Sequence, residues 1–385
     1  MEDTSVTTSD APARLFRGGG SFQADLTRAV RDILDEKALR RGRMRFFSKA
    51  AFMLLWTAAS YAYLVFMAGN WWQAGLGCIS LALALGGVAF SIQHDANHGA
   101  VGRRWRFLGL SLDILLGTSS YLWRERHNHA HHTYTNVVDK DGDIEQMPLA
   151  RFAPDQPRRP WHRFQHVYMF ALYGFYAPRQ TLMGDASMLL RGPNAHVPLR
   201  RPRGGDLWQL IVTKVIFFGL FLVLPMFVQP WWGVLLGAFV TLWIFGIILA
   251  VVFQLAHCVE EADFTSEARM AAESERDGPR EWARHQVEHT VDFARSSRVL
   301  NWYLGGLNFQ VEHHLLPNVC HVHYRHISPV LEQLCLEHDV HYRANDTFLA
   351  ALRSHARWLR AMGQAPYGPI PSDGAAELAG DTAPA

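Results

Sequence analysis

Four stretches of this sequence, Phe46–Phe66, Gln73–Ile92, Leu207–Val228 and Trp231–Ala256, are each about 20 residues long and almost free of charge. Helices of that length span the hydrocarbon core of a bilayer, about 30 Å thick. The four pair naturally. A short turn around Met67–Trp72 joins the first two, only Gln229 and Pro230 join the last two, and neither turn carries a charge. Four buried helices of a large soluble protein are the competing reading, and the uncharged hairpin tips argue against it.

Charge gives the expected orientation. Arg40, Arg41, Arg43 and Arg45 precede the first span, and Arg200, Arg201 and Arg203 precede the third. Positive flanks stay inside, so the termini and both long polar segments are expected in the cytoplasm. Trp71, Trp72, Trp231 and Trp232 mark the opposite interface. Lys49 and Lys214, near the starts of their spans, are expected to snorkel toward headgroups. Trp105–Tyr121 is too short to span and Tyr168–Leu190 is amphipathic, which suits helices lying in the interface plane. With 49% hydrophobic residues the chain can bury a large core. Residues 1–20 and 363–385 are expected to be flexible tails. Between them, 93–206 and 257–362 form a mostly helical cap.

The four cysteines form no CxxC pair, which disfavours a disulfide scaffold and a thiolate metal site. Histidine is different: there are 20, in tight clusters. His94 and His98 emerge from the second span four residues apart, on one helical face. His127 and His131 repeat that spacing, and His132 is turned from His131 by about 100° on an α-helix, so adjacent imidazoles can serve two neighbouring metals. His313 and His314 form another adjacent pair, and His257 follows the fourth span. The topology puts all of them on one side.

Imidazole suits iron, zinc and copper alike. Eight histidines exceed one tetrahedral zinc and suit two metals with open positions. No HExxH occurs, which disfavours a zinc protease, and the apolar cores hold no histidine for haem. The acidic run Asp139–Asp143 has calcium-loop spacing, but its twelfth position is Ala150 rather than Glu.

The pieces HDANHGA, HNHAHHTYTN and NFQVEHHLLP followed by HVHY resemble the membrane fatty acid desaturase family, especially its bacterial front-end and linoleoyl-type branch, over roughly residues 20 to 345. The resemblance implies an all-α integral membrane protein, with four transmembrane helices and a helical cytoplasmic cap holding a histidine-rich di-metal site; the desaturase domain would be 21–362. It implies two irons ligated by His94, His98, His127, His131, His132, His257, His313 and His314, with O2 as co-substrate. Gln310 stands where many relatives have the first histidine of the third box. Gln310, His285, His289, Asp95 and Glu312 are candidates for hydrogen-bonded support or an additional ligand. No residue beyond the metal ligands is singled out as catalytic. The expected reaction is desaturation of a fatty acyl chain carried on CoA, a carrier protein or a lipid. Hydroxylation and acetylenic-bond formation share the scaffold, and a histidine-rich metal transporter is a different class. With no cytochrome b5 signature, GxGxxG or cysteine cluster, electrons are expected from a separate ferredoxin, rubredoxin or cytochrome b5-like donor with its reductase. Basic stretches at Arg151–Arg163 and Arg191–Arg203 suit anionic lipid or a thioester's phosphates. No nucleic acid is expected as a partner.

Overall fold

The computed structural model describes residues 15–191, 197 and 200–364. Most of both expected tails, positions 1–14 and 365–385, and positions 192–196 and 198–199 of the second basic stretch lie outside the described residues.

Four helices are long and apolar enough to cross a membrane: Glu36–Met67, Trp71–His98, Gly205–Phe227 and Trp231–His257. The first two begin before the apolar windows because capping, not hydropathy, sets a helix start. Asp35 accepts a hydrogen bond from the Ala38 amide at 2.6 Å, and Asn70 accepts one from Gln73 at 3.0 Å. The second span is the central one, with 72% of its apolar window buried against 28%, 17% and 28% for the others. Small residues allow this closeness: a side chain at Gly87 would collide with Met53 of the first span. Trp71, Trp72, Trp231 and Trp232 are exposed at the end opposite the histidines.

Neither lysine of the spans snorkels. Lys49 is buried, 3.0 Å from His321 Nε2, and Lys214 pairs with Asp185 at 2.7 Å. Each has found an intramolecular acceptor, which holds an ammonium inside more firmly than a headgroup draws it out. Asp185 thereby faces inward from the 168–190 segment, while Val167, Leu182, Met183 and Leu190 of the same region are exposed.

The histidine side carries the cap. Its main core joins Phe22, Leu26 and Val30 of the helix Ser21–Ile33 to Val287, Val311, Leu315, Ile327 and Leu331. The helix Phe348–Gln364 packs on the 160–172 region and the fourth span. Among the described residues the only strands are three two-residue parallel pairings: Phe16–Arg17 with Arg280–Glu281, Val137–Val138 with Thr265–Ser266, and Asp292–Phe293 with Ala344–Asn345. The first departs from the expected tail. Leu15 and Phe16 are buried, and Phe16 meets the His285 ring edge-on at 4.9 Å, so two apolar side chains anchor a segment whose composition reads as polar.

Candidate metal centre

The second span delivers the first histidines. Ala89–Gln93 makes a single π-helical turn, which re-aims the residues after it, and His94–His98 forms the last α-helical turn. Gly99 ends the helix at φ 79°, a left-handed conformation that glycine adopts without strain.

His94, His98, His127 and His313 offer one ligand atom each within 4.8 Å of one another, and so do His131, His257 and His314. His132 joins the two sets, facing both His313 and His314. The rings pack at coordination distances: His94 to His313 is 4.4 Å between centroids, His131 to His257 is 4.7 Å, and His132 to His314 is 4.3 Å. All eight are buried, none more than 8% exposed.

The second cluster departs from α-helical expectation. Glu125–His131 is π-helical, and the His132 amide donates to the His127 carbonyl five residues back, at 3.0 Å. The wider turn brings His132 alongside His127, with Nε2 atoms 3.3 Å apart, and sends His131 to the other set. His127 and His131 therefore divide between the two imidazole sets, while the expected pairing of the two also holds, in a group with Asp143.

The Nδ1 atoms of His131, His314 and His313 have partners. Asp141 accepts from His131 Nδ1 at 3.1 and 3.0 Å, and the Gln286 amide oxygen accepts from His314 Nδ1 at 2.8 Å. His313 Nδ1 lies 3.4 Å from the Tyr324 hydroxyl. Acceptors at Nδ1 fix the hydrogen there and leave Nε2 with a free lone pair. The Nε2 atoms of His94, His98, His131, His313 and His314 are buried and have no hydrogen-bond partner. Orphaned buried nitrogens of this kind are costly without an ion; a nitrogen-only donor set in two adjoining groups fits a pair of borderline transition-metal ions.

Burial, then the neighbouring imidazoles, hold the pKa values of His127, His132, His313 and His314 well below the ordinary histidine range, so these rings are neutral and can ligate. His131 runs the other way: burial opposes its charge, but the charge and hydrogen bond of Asp141, with Asp143, outweigh that and raise its pKa. A carboxylate behind a ligating imidazole strengthens it as a donor.

The remaining candidates stand around this shell. The Gln310 amide lies 2.9 Å from His257 Nε2. His285 and His289 stack at 3.7 Å, and His285 Nε2 bonds to the Thr135 carbonyl at 3.0 Å; neither belongs to the converging sets. Asp95 and Glu312 bond elsewhere than to the eight imidazoles. Asp95 accepts from His321 Nδ1 at 2.8 Å, and Glu312 accepts from the Tyr342 hydroxyl at 3.1 Å. Several supports escape sequence reasoning: Asp141, Thr135, Gln286, and Asn136, whose amide holds the carbonyls of His257 and His289. Asp141 carried a signal, since the run rejected as a calcium loop lies ten residues past His131.

A narrow, mostly apolar cavity reaches His94 between Phe90, Leu112, Leu116, Phe245, Leu249 and Phe253.

Comparison with known proteins points to one family. The sequence profile described as fatty acid desaturase matches residues 69–345. An sn-1 linoleoyl-lipid 6-desaturase of Arthrospira platensis is 35% identical over 361 residues, covering 92% of this chain and 96% of that protein. The protein of the same name from Synechocystis sp. is 36% identical over 336 residues, 85% and 90% of the two chains. An acyl-lipid (8-3)-desaturase of Physcomitrium patens is 36% identical over 330 residues, 82% of this chain and 66% of the other.

Proposed function

The chain belongs to the fatty acid desaturase family, an oxidoreductase of the membrane, and from that premise we propose that it desaturates the acyl chain of a glycerolipid at a histidine-ligated pair of irons. The observation that carries the reading is the convergence of buried, unpartnered Nε2 atoms in two adjoining groups, the first of which meets a mostly apolar cavity through His94.

His94, His98, His127 and His313 would hold one iron and His131, His257 and His314 the other, with His132 between them. Iron supplies the activation of O2 that no side chain provides. The balanced reaction is –CH2–CH2– + O2 + 2 e⁻ + 2 H⁺ → –CH=CH– + 2 H2O. The protein's own residues do the rest. Asp141 and Gln286 orient His131 and His314, and the phenylalanine and leucine walls hold a chain and keep water from the reacting methylenes.

Lipid-linked linoleoyl chains are the proposed substrate, since relatives named for that activity align along almost the whole chain. The exposed arginines before the first and third spans support a cytoplasmic cap. There a separate ferredoxin, rubredoxin or cytochrome b5-like donor would deliver the electrons. Expression of the full chain in a host that makes no polyunsaturated lipid, fed linoleate, tests the reading: a new double bond in membrane lipids and protein-bound iron are expected. An unchanged lipid profile with zinc bound in place of iron would overturn it.

A further inference from the structure

Arg126 is the one permanently charged residue among those lining the cavity that reaches His94. Its side chain is only 16% exposed, and its Nε is buried with no hydrogen-bond partner. Asp143 forms an ion pair with this Nε at 3.6 Å, too long for a hydrogen bond. Its Nη2 donates to the Tyr176 hydroxyl at 3.3 Å, the one hydrogen bond of this guanidinium among the described residues. Tyr176 lines the same cavity. Two other polar groups of the wall are engaged: Thr181 donates to the Leu116 carbonyl, and Gln93 accepts from Asn97.

A buried guanidinium nitrogen with no hydrogen bond, and only a long ion pair to Asp143, leaves a donor at the wall of a mostly apolar pocket for an arriving acceptor. The occupant must be apolar along most of its length and carry an oxygen acceptor at one end. An acyl ester has that form: its carbonyl accepts two donors, while its methylenes suit phenylalanine and leucine.

Resting on the desaturase reading of the site, we infer that Arg126, with Tyr176, receives the carbonyl oxygen of the acyl ester, so that the reacting methylenes are counted from the carbonyl end. Arg126 directly precedes His127. The carbonyl anchor and a proposed iron ligand are thus carried by consecutive residues of one π-helical segment, which makes their separation a fixed length. The rival account makes Arg126 only a counterion for Asp143, whose other oxygen lies 3.7 Å from His131 Nδ1.

Membranes containing the full chain and a reductant system, given a linoleoyl glycerolipid with an ester linkage or its ether-linked counterpart, separate the two. The ether keeps the chain and lacks the carbonyl. In the unaltered protein the ester is expected to show a KM about 10-fold or more below that of the ether, as for a lost hydrogen bond to a charged group. Its new double bond should lie at one position, and that of the ether should be spread over several. Arg126→Gln and Tyr176→Phe should each raise the ester KM toward the ether value, with iron per protein unchanged. Tyr176→Phe removes one hydroxyl and decides the question if Arg126→Gln does not fold. An ester preference that survives both substitutions overturns the inference. So does iron loss in Arg126→Gln with Tyr176→Phe unaltered, which assigns Arg126 to Asp143. Failure of the unaltered protein to act on either lipid brings down the proposed linoleoyl-glycerolipid desaturation on which this inference rests.

Discussion

Asp141 accepts the Nδ1 hydrogen of His131 with both carboxylate oxygens, at 3.1 and 3.0 Å, and also takes the amides of Asn136 and Asp143. It is fully buried, so the pair is shielded from water. This carboxylate fixes which nitrogen of His131 faces the other imidazoles. Asp141→Asn keeps the shape and removes the charge, and its amide can present a donor where an acceptor is needed. Iron affinity should fall about 10- to 100-fold, as for other supports of metal-bound histidine. Chelator titration of iron retention measures it; retention equal to the unaltered protein would deny Asp141 this role.

Lys49, His321 and Asp95 form a buried chain from the first span to the second. Lys49 Nζ lies 3.0 Å from His321 Nε2, and His321 Nδ1 lies 2.8 Å from Asp95. Breaking such a buried network from one side costs about 3 kcal/mol or more. Lys49→Met and His321→Gln should each lower the melting temperature of the purified protein, and the double variant should melt no lower than the worse single one, because both remove the same contact. Additive losses would mean that the two side chains act independently.

The fold class was legible because length and apolarity alone specify a spanning helix, and the box histidines stood out by their spacing. What stayed hidden depends on partners remote in sequence or on backbone that departs from the α-helix. His321 and Asp95 are 226 residues apart, so nothing near Lys49 announces that it turns inward. The π-helical turn at Glu125–His131 changes which of His127, His131 and His132 lie together, and residue spacing assumes 3.6 residues per turn. Phe16 docks on a residue more than 260 positions away, so its segment reads as a tail.

The ligand assignment predicts a common outcome from unlike positions. His94 belongs to one converging set, His131 to the other, and His314 to the second set and to the group around His132. His94→Ala, His131→Ala and His314→Ala should each reduce bound iron and cut desaturation at least about 100-fold, more than the loss of a mere support. The protein should still insert, since the spans do not depend on these rings. Iron analysis of membrane-extracted protein checks each variant, and full iron content in any one removes that residue from the shell.

His355 makes a pH prediction away from the metal sets. Burial pushes its pKa down to about 4, and both ring nitrogens are engaged, Nδ1 donating to the Cys258 carbonyl and Nε2 accepting from the Tyr173 hydroxyl, each at 2.6 Å. A second proton would displace the Tyr173 donor and place a charge among apolar neighbours. In the unfolded chain the ring titrates near about 6.5, so between these values the unfolded state binds more protons. The contribution of His355 is therefore whole above about pH 6.5 and is lost as pH falls toward about 4, in total about 3 kcal/mol. His355→Gln cannot gain that proton. Its melting temperature, though lower at neutral pH, should fall less steeply across this window than that of the unaltered protein, and equal slopes would show that this imidazole is not what acid acts upon.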